Sequence, residues 1–303
     1  MYAPPPAQQR GRKVTVPDLR ARKVRMGSPA IAMVTAYDFT MSRLVDESGV
    51  DMILVGDSLG MVVQGLPNTL PVTLDEIAYH ARAVVRGAQH AHVVGDMPFM
   101  SYQVSPSQAV ESAGKLVKDG GVESVKLEGG EEYAAHVRLI VRAGVPVVGH
   151  VGLLPQSVHA MGGFKVQGRG EDAAERIVRD AQALEDAGAF AIVVEAVPPD
   201  VAARVTESVS IPTIGIGAGH LCDGQVLVST DLLGMSRGPS PKFVKRYAEL
   251  GEAVIGAVSA YVREVRSGEF PSAEHAYKPN APSRPVALPE PDEKVVPISS
   301  ARR

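Results

Sequence analysis

Four carboxylates in this chain stand at the carboxyl end of apolar runs: Asp57 in MILVGDS, Asp96 in HVVGDMP, Glu128 in SVKLEGG and Glu195 in FAIVVEAVP. Runs of β-branched and aliphatic residues bounded by Gly or Pro read as strands buried on both faces, as in a parallel sheet. An acid at the last position of such a strand costs desolvation free energy. One instance proves little, but four at the same end point to a site. Hard carboxylate oxygens gathered at one mouth suit a divalent metal, with one carboxylate left over as a general base.

Lys126 and Glu128 lie two residues apart on one strand, so their side chains share a face. Turned inward, the Lys would neutralise a substrate carboxylate or a developing enolate, and the Glu would reach the metal directly or through water. A plain buried ion pair is the competing account, and such pairs rarely add stability. Asp57 and Asp96 are expected at the same register of successive strands, which capping of the following loop, the alternative for each, does not require. The Ser58 hydroxyl beside Asp57 is placed to orient an oxygen of a bound acid. His150, in VVGHVG, can hydrogen-bond a substrate oxygen as a neutral imidazole or be satisfied by a core carbonyl. Glu195 is followed by Ala196 and Val197, and apolar surroundings are expected to raise its pKa toward neutrality and sharpen it as a base. A strand-end salt bridge is the alternative there. The sequence has no Ser/His/Asp elbow, zinc-type Cys/His spacing or Walker loop. The chemistry expected is therefore metal-assisted proton abstraction next to a carbonyl, in which a cation chelated by a 2-oxo acid draws charge onto the carbonyl oxygen. Mg²⁺ suits such a site because it keeps waters and accepts few carboxylates.

The elements that must position these groups alternate. Strands are expected at Ile31–Tyr37, Met52–Gly56, His92–Gly95, Ser124–Leu127, Val145–Gly149, Phe190–Val194, Thr213–Ile216 and Val226–Ser229. Helical patterns fill the gaps: Thr40–Ser48, Leu74–Val85 behind the cap-like Thr73 and Glu76, Ser105–Lys118 with Pro at its first position, Glu132–Arg142, Glu171–Asp186 and Pro199–Ser208. Eight strand candidates with interleaved helices match a (β/α)₈ TIM barrel, whose catalytic groups sit on the carboxyl ends of several strands. A doubly wound sheet would want a Gly-rich fingerprint after the first strand, which instead ends TAYDFT; the late GIGAG lacks an acidic ribose ligand about 20 residues on. The barrel is assigned to residues 14–277. The flanking segments 1–13 and 278–303 are Pro-rich, without apolar period, and are expected to be disordered tails.

At 303 residues, 45% hydrophobic and 21% charged, the chain has enough apolar content for a large core. A net charge of −3 argues against nucleic acid or an anionic membrane as partner. The lone Cys222 excludes an intrachain disulfide and is expected to pack as a small residue. With no signal-like apolar start and no run approaching the roughly 20 residues of a membrane span, a cytoplasmic protein is expected.

Several long segments, in order, resemble ketopantoate hydroxymethyltransferases: TAYD (35–38), VGDSLGMVVQG (55–65), TLPVTLDEIAYH (69–80), DMPFMSY (96–102), VKLEGG (125–130), GHVGLLPQSV (149–158), GGFKVQGRG (162–170) and IPTIGIGAG (211–219). The resemblance covers most of residues 31–275. It implies a barrel related to phosphoenolpyruvate mutase and isocitrate lyase, assembled as a homodecamer. It implies transfer of a one-carbon unit from 5,10-methylenetetrahydrofolate to 3-methyl-2-oxobutanoate, giving 2-dehydropantoate. On the matching positions it implies Mg²⁺ on Asp57, Asp96 and Glu128; oxo-acid binding by Ser58, Lys126 and the two aspartates; Glu195 as proton acceptor; and His150 as a lining residue. Ala196 stands where many relatives have Cys, and residues 227–243 keep only the family's general pattern. A metal-dependent mutase or lyase acting on another 2-oxo acid, and a barrel that binds without turnover, are the other readings.

Overall fold

The computed structural model describes residues 12–23, 29–236, 238 and 240–278. Apart from Arg12, Lys13 and Lys278, the two tails expected to be disordered lie outside the described residues. The chain parts into two compact units at Gly251/Glu252.

In the first unit, β1 (Ile31–Thr35), β2 (Met52–Val55), β3 (His92–Asp96), β4 (Ser124–Lys126), β5 (Val147–Gly152), β6 (Ala191–Glu195), β7 (Thr213–Ile216) and β8 (Gly224–Leu227) pair in chain order, all parallel, and β8 closes onto β1. The helices are α1 (Val16–Arg20), α2 (Phe39–Glu47), α3 (Leu59–Val62), α4 (Leu74–Gly87), α5 (Pro106–Lys115), α6 (Ala134–Arg142), α7 (Glu171–Asp186), α8 (Pro199–Ser208), α9 (Ser229–Leu232) and α10 (Leu250–Ser267). Local chemistry sets their ends. Thr73 and Glu76 form the expected capping box of α4, and the Ser105 hydroxyl accepts from Gln108 N–H at the start of α5. After α5 the chain continues through a π turn, Leu116–Gly120, and stops on left-handed Gly121. Most strand bounds shift by one to three residues, and α10 is not among the expected helices. β8 starts at Gly224 rather than Val226, and α6 starts at Ala134 because residues 131–133 form a 3₁₀ turn first.

The period-two alternation of the strands builds two apolar layers. Ile53, Val55, Val93, Val125, Val147, Ile192 and Val194 face outward and pack with helix residues such as Ile77, Ala81, Val137, Ile140, Leu184 and Val205. Met33, Met52, Leu54, Val94, Val148, Val193, Ile214 and Val226 form a separate cluster inside the barrel. The same inward parity continues to Asp96, Lys126, His150 and Glu195, so the alternation that fills the barrel also delivers polar groups to its carboxyl end. β7 and β8 are joined by residues 217–223 without a helix. That connection folds back so tightly that Cys222 Sγ would lie 3.1 Å from a Cβ on Gly215.

The amino end of the barrel is closed by a segment that periodicity did not reveal. Leu19, on the five-residue α1, is fully buried in the inner cluster. Lys23 follows it inward: its Nζ donates to the Thr206 and Ile211 carbonyls at 2.8 and 2.9 Å and pairs with Asp223 Oδ2 at 2.9 Å. Asp223 also accepts from the Thr213 N–H and hydroxyl. In the second unit, α10 leaves Val254, Ile255, Val258, Tyr261 and Val265 exposed, and Tyr261 and Phe270 meet edge to face. Among the described residues no helix is long and apolar enough to cross a membrane.

Lys23 and Asp223 are each 1% exposed, so removing one leaves the other charge buried and uncompensated. Lys23→Met is expected to cost about 3–5 kcal/mol, read as a lower midpoint in urea unfolding. A loss below about 1 kcal/mol would contradict this account of the barrel's closed end.

Candidate active site

At the carboxyl end of the barrel the structure brings together Asp57, Asp96, Lys126, Glu128 and His150, all buried, with Glu195 beside them at 18% side-chain exposure. Lys126 Nζ is 2.8 Å from Asp96 Oδ1 and 3.3 Å from His150 Nδ1. Asp96 Oδ2 accepts the backbone N–H of Asp57 at 3.2 Å. His150 spans two acids, with Nδ1 3.6 Å from Glu128 Oε1 and Nε2 3.2 Å from Glu195 Oε2. Ser58 is half-buried and its hydroxyl lies 2.9 Å from that of Tyr37.

Several sequence expectations change in detail. Val55 pairs with Gly95 and Asp96 with Lys126, so Asp57 lies one residue beyond the level of Asp96 rather than in register with it. It reaches the site from the turn after Gly56, off the strand's parity. Neither aspartate side chain caps its own following loop: Asp96 serves the Asp57 amide, and Asp57 Oδ2 accepts from Gln156 Nε2 at 3.0 Å. β5 runs on past His150 to Gly152. Glu195 is not enclosed by Ala196 and Val197; its carboxylate keeps access to solvent and faces an imidazole, close to the strand-end ion pair weighed as the alternative.

The backbone around Glu195 is specialised. Gly152 pairs with Glu195, has φ +96°, and a Cβ there would collide with the Glu195 carbonyl oxygen. Ala196 adopts φ +46°, a left-handed conformation costing an L-residue about 1–2 kcal/mol. Its N–H donates to Ile216 O at 2.8 Å and its carbonyl accepts from Gln167 N–H at 2.9 Å, which locks the turn that ends β6.

Three neighbours, Gln156, Tyr102 and Tyr37, were not singled out by residue type or spacing, though each lies in a segment that carries the family resemblance. Gln156, in a 3₁₀ turn after β5, donates its backbone N–H to Glu128 Oε2 at 2.9 Å besides holding Asp57. The Tyr102 hydroxyl lies 2.9 Å from Gln156 Oε1 and 2.9 Å from the Glu128 carbonyl, and accepts the Glu128 N–H at 3.1 Å. Tyr37 backs Ser58, and burial pushes its hydroxyl up to about 12. All three sit in loops or at strand ends, where amides and phenols are ordinary.

One ammonium serves three buried acids. Burial works against the Lys126 charge, but Asp96, Glu128 and Asp57 outweigh it and raise its pKa. Burial, then Asp96 and Glu128, lift Asp57 well above the usual carboxylate range, and burial also lifts Asp96 despite its ammonium partner. Glu128 is held low against its own burial by His150, Lys126 and the Gln156 N–H. For His150, burial and Lys126 push down, yet the Glu128 and Glu195 carboxylates win and lift it to about 9.

Whether a metal fits turns on this donor set. Among the described residues no three His, Cys, Asp or Glu side chains already converge as ligands. Asp96 is turned to Lys126, and Glu128 to Gln156 and His150. Mg²⁺, however, takes only one or two carboxylates and keeps its waters. Four carboxylates facing one ammonium and one imidazole leave negative charge in a buried place, and Asp57 has no cationic side chain in direct contact. The residues fit a hard divalent cation. Cys222 does not belong here: it precedes Asp223 at the opposite end of the barrel.

Comparison with known proteins shows what the chain is similar to. A family model described as ketopantoate hydroxymethyltransferase matches residues 13–273. The chain is 56% identical over 248 residues to the 3-methyl-2-oxobutanoate hydroxymethyltransferase of Clostridium beijerinckii, covering 82% of this chain and 90% of that protein. It is 53% identical to the enzyme of the same name from Syntrophus aciditrophicus, covering 89% and 98%. Among solved structures, a phosphonopyruvate hydrolase superposes with a TM-score of 0.57 at 15% identity, covering 89% of this chain and 92% of that one. A 2,3-dimethylmalate lyase, a phosphoenolpyruvate mutase/isocitrate lyase superfamily member, gives 0.55 at 17%, covering 86% and 92%. These structural likenesses concern the fold.

Folding raises the His150 pKa from about 6.5 to about 9, so its protonation stabilises the metal-free fold fully below the lower value, and this contribution is lost as pH rises through the upper one. Urea midpoints at pH 6, 8 and 10 should show wild type losing about 2–3 kcal/mol more than His150→Gln across that window. Parallel pH profiles for the two proteins would refute a charged His150.

Proposed function

The chain belongs to the ketopantoate hydroxymethyltransferase family, and from that premise we propose how the mouth of its barrel carries out transfer of a hydroxymethyl group to 3-methyl-2-oxobutanoate. The observation that carries the reading is the pairing of the one solvent-accessible acid, Glu195, with a cluster of buried acids built around Lys126.

The oxo acid enters with its carboxylate and keto oxygen toward Lys126 and Ser58. Lys126 offsets the charge that develops on the keto oxygen, and Ser58, held by Tyr37, donates a hydrogen bond to the bound acid. Glu195 accepts the C3 proton. The C3–H electron pair becomes the C2–C3 double bond, and the carbonyl pair moves to oxygen as the enolate. His150 keeps the Glu195 carboxylate in place through Nε2. A Mg²⁺ ion held by Asp57 and Asp96, with Glu128 reaching it directly or through water, would lower the cost of placing charge on the keto oxygen. Water opens the methylene bridge of 5,10-methylenetetrahydrofolate, its two protons going to the folate nitrogens, to give tetrahydrofolate and a one-carbon unit at the formaldehyde level. C3 attacks that carbon, the C=O pair moves to its oxygen, and the proton taken by Glu195 completes the hydroxyl. One of the superposable structures is a phosphonopyruvate hydrolase with oxalate and Mg²⁺, at a TM-score of 0.55, 14% identity, and 84% and 92% coverage. Assembly as a homodecamer is part of the same reading, and the apolar residues that α10 exposes support contact with a second copy. A cytoplasmic setting agrees with the soluble small-molecule reactants.

Proton NMR in D₂O with 3-methyl-2-oxobutanoate, Mg²⁺ and 5,10-methylenetetrahydrofolate should show loss of the C3 proton and new hydroxymethyl signals, both abolished by EDTA. Glu195→Gln is expected to slow C3 exchange by about 10²–10⁴-fold, the usual weight of a general base. Exchange unaffected by that change would remove Glu195 from the role. Exchange without product in wild type would point to a different one-carbon donor.

A further inference from the structure

The carboxylates at the mouth need something to hold them apart and aimed when only one ammonium is at hand. We propose that Gln156 is the positioning residue that sets the cation affinity of this site; the inference rests on the metal reading above. Gln156 is 4% exposed, and both ends of its side-chain amide and its backbone N–H are engaged. Nε2 donates to Asp57 Oδ2 at 3.0 Å and to the Met97 carbonyl at 2.9 Å. Its backbone N–H donates to Glu128 Oε2. Oε1 faces the Tyr102 hydroxyl at 2.9 Å and Gln103 Nε2 at 3.1 Å. A carbonyl and a carboxylate lie on the nitrogen side, and neither donates, so the amide has one orientation. One residue thereby ties the chain after β2, β3 and β4 to the turn after β5.

The type of donor matters as much as its place. Among the described residues Gln156 is the one side chain that hydrogen-bonds the Asp57 carboxylate. An amide aims that carboxylate without cancelling its charge, whereas a Lys or Arg in the same position would compete with an incoming cation. It also engages one oxygen and leaves the other for a ligand. Outer partners of this kind typically change metal affinity by about 10–100-fold when removed.

Gln156→Met keeps the length of the side chain and removes both amide donors, while the backbone bond to Glu128 stays. Mn²⁺, a hard ion of similar preference, is the probe, titrated into the full-length metal-free protein and followed by electron paramagnetic resonance. The variant is expected to bind Mn²⁺ about 10–100-fold more weakly than wild type, with the KM for the oxo acid unchanged at saturating Mg²⁺ and kcat recovered as Mg²⁺ is raised. Equal Mn²⁺ affinity in the two proteins overturns the role of Gln156. No Mn²⁺ binding by wild type overturns instead the metal reading beneath it. Should Gln156→Met fail to fold, Tyr102→Phe carries the test by removing a hydroxyl that orients the amide: binding weakened by about fivefold, one hydrogen bond's worth, supports the proposal, and unchanged binding overturns it.

Discussion

A single ammonium group buried among carboxylates organises the carboxyl end of this barrel. Water, the usual partner of such charges, is excluded, so each acid must find its compensation within a few ångströms or go without. Lys126 answers Asp96 directly. Glu128 recruits His150 and a backbone amide. Asp57 is left with a neutral side-chain amide, and its pKa records the shortfall. The cluster is thus graded from well compensated to poorly compensated, and the poorly compensated end is where a divalent ion gains most. Glu195 stands outside the gradient, partly open to solvent and 3.2 Å from the His150 imidazole, which sets it apart from the buried acids around Lys126.

The opposite end of the barrel uses the same kind of pair for a different purpose. Lys23 and Asp223 are as deeply buried as Lys126 and Asp96, yet the Lys23 ammonium meets two carbonyls and Asp223 Oδ2, and that oxygen also accepts from an amide and a threonine hydroxyl. The two pairs differ in the number of acids sharing the cation: one at the closed end, three at the mouth.

Much of this was legible from residue order because strand parity is strict. Asp96, Lys126 and Glu195 extend the inward positions of β3, β4 and β6, so recognising the strands was enough to place them. Asp57 was found for a reason that proved inexact, since it leaves the strand and arrives through a turn. The expected apolar pocket for Glu195 failed because neighbours in sequence at a strand end point away from one another. Gln156 and Tyr102 lie in segments that carry the family resemblance, but their contacts come from where three loops meet, and no periodicity encodes that. α1 escaped for a simpler reason, being one turn long with a single fully buried side chain, and the missing helix between β7 and β8 was simply a short connection.

The Lys23 contacts also bear on the order of events during synthesis. Its carbonyl partners lie 183 and 188 residues downstream. A ribosome therefore releases the segment that will close the barrel at least 183 residues ahead of the groups that receive it. Until β7 and β8 emerge, Leu19 and the Lys23 ammonium have no native place to go, and contacts of this range make for slow closure. The nascent chain must carry its own stopper unplaced until β7 and β8 have emerged.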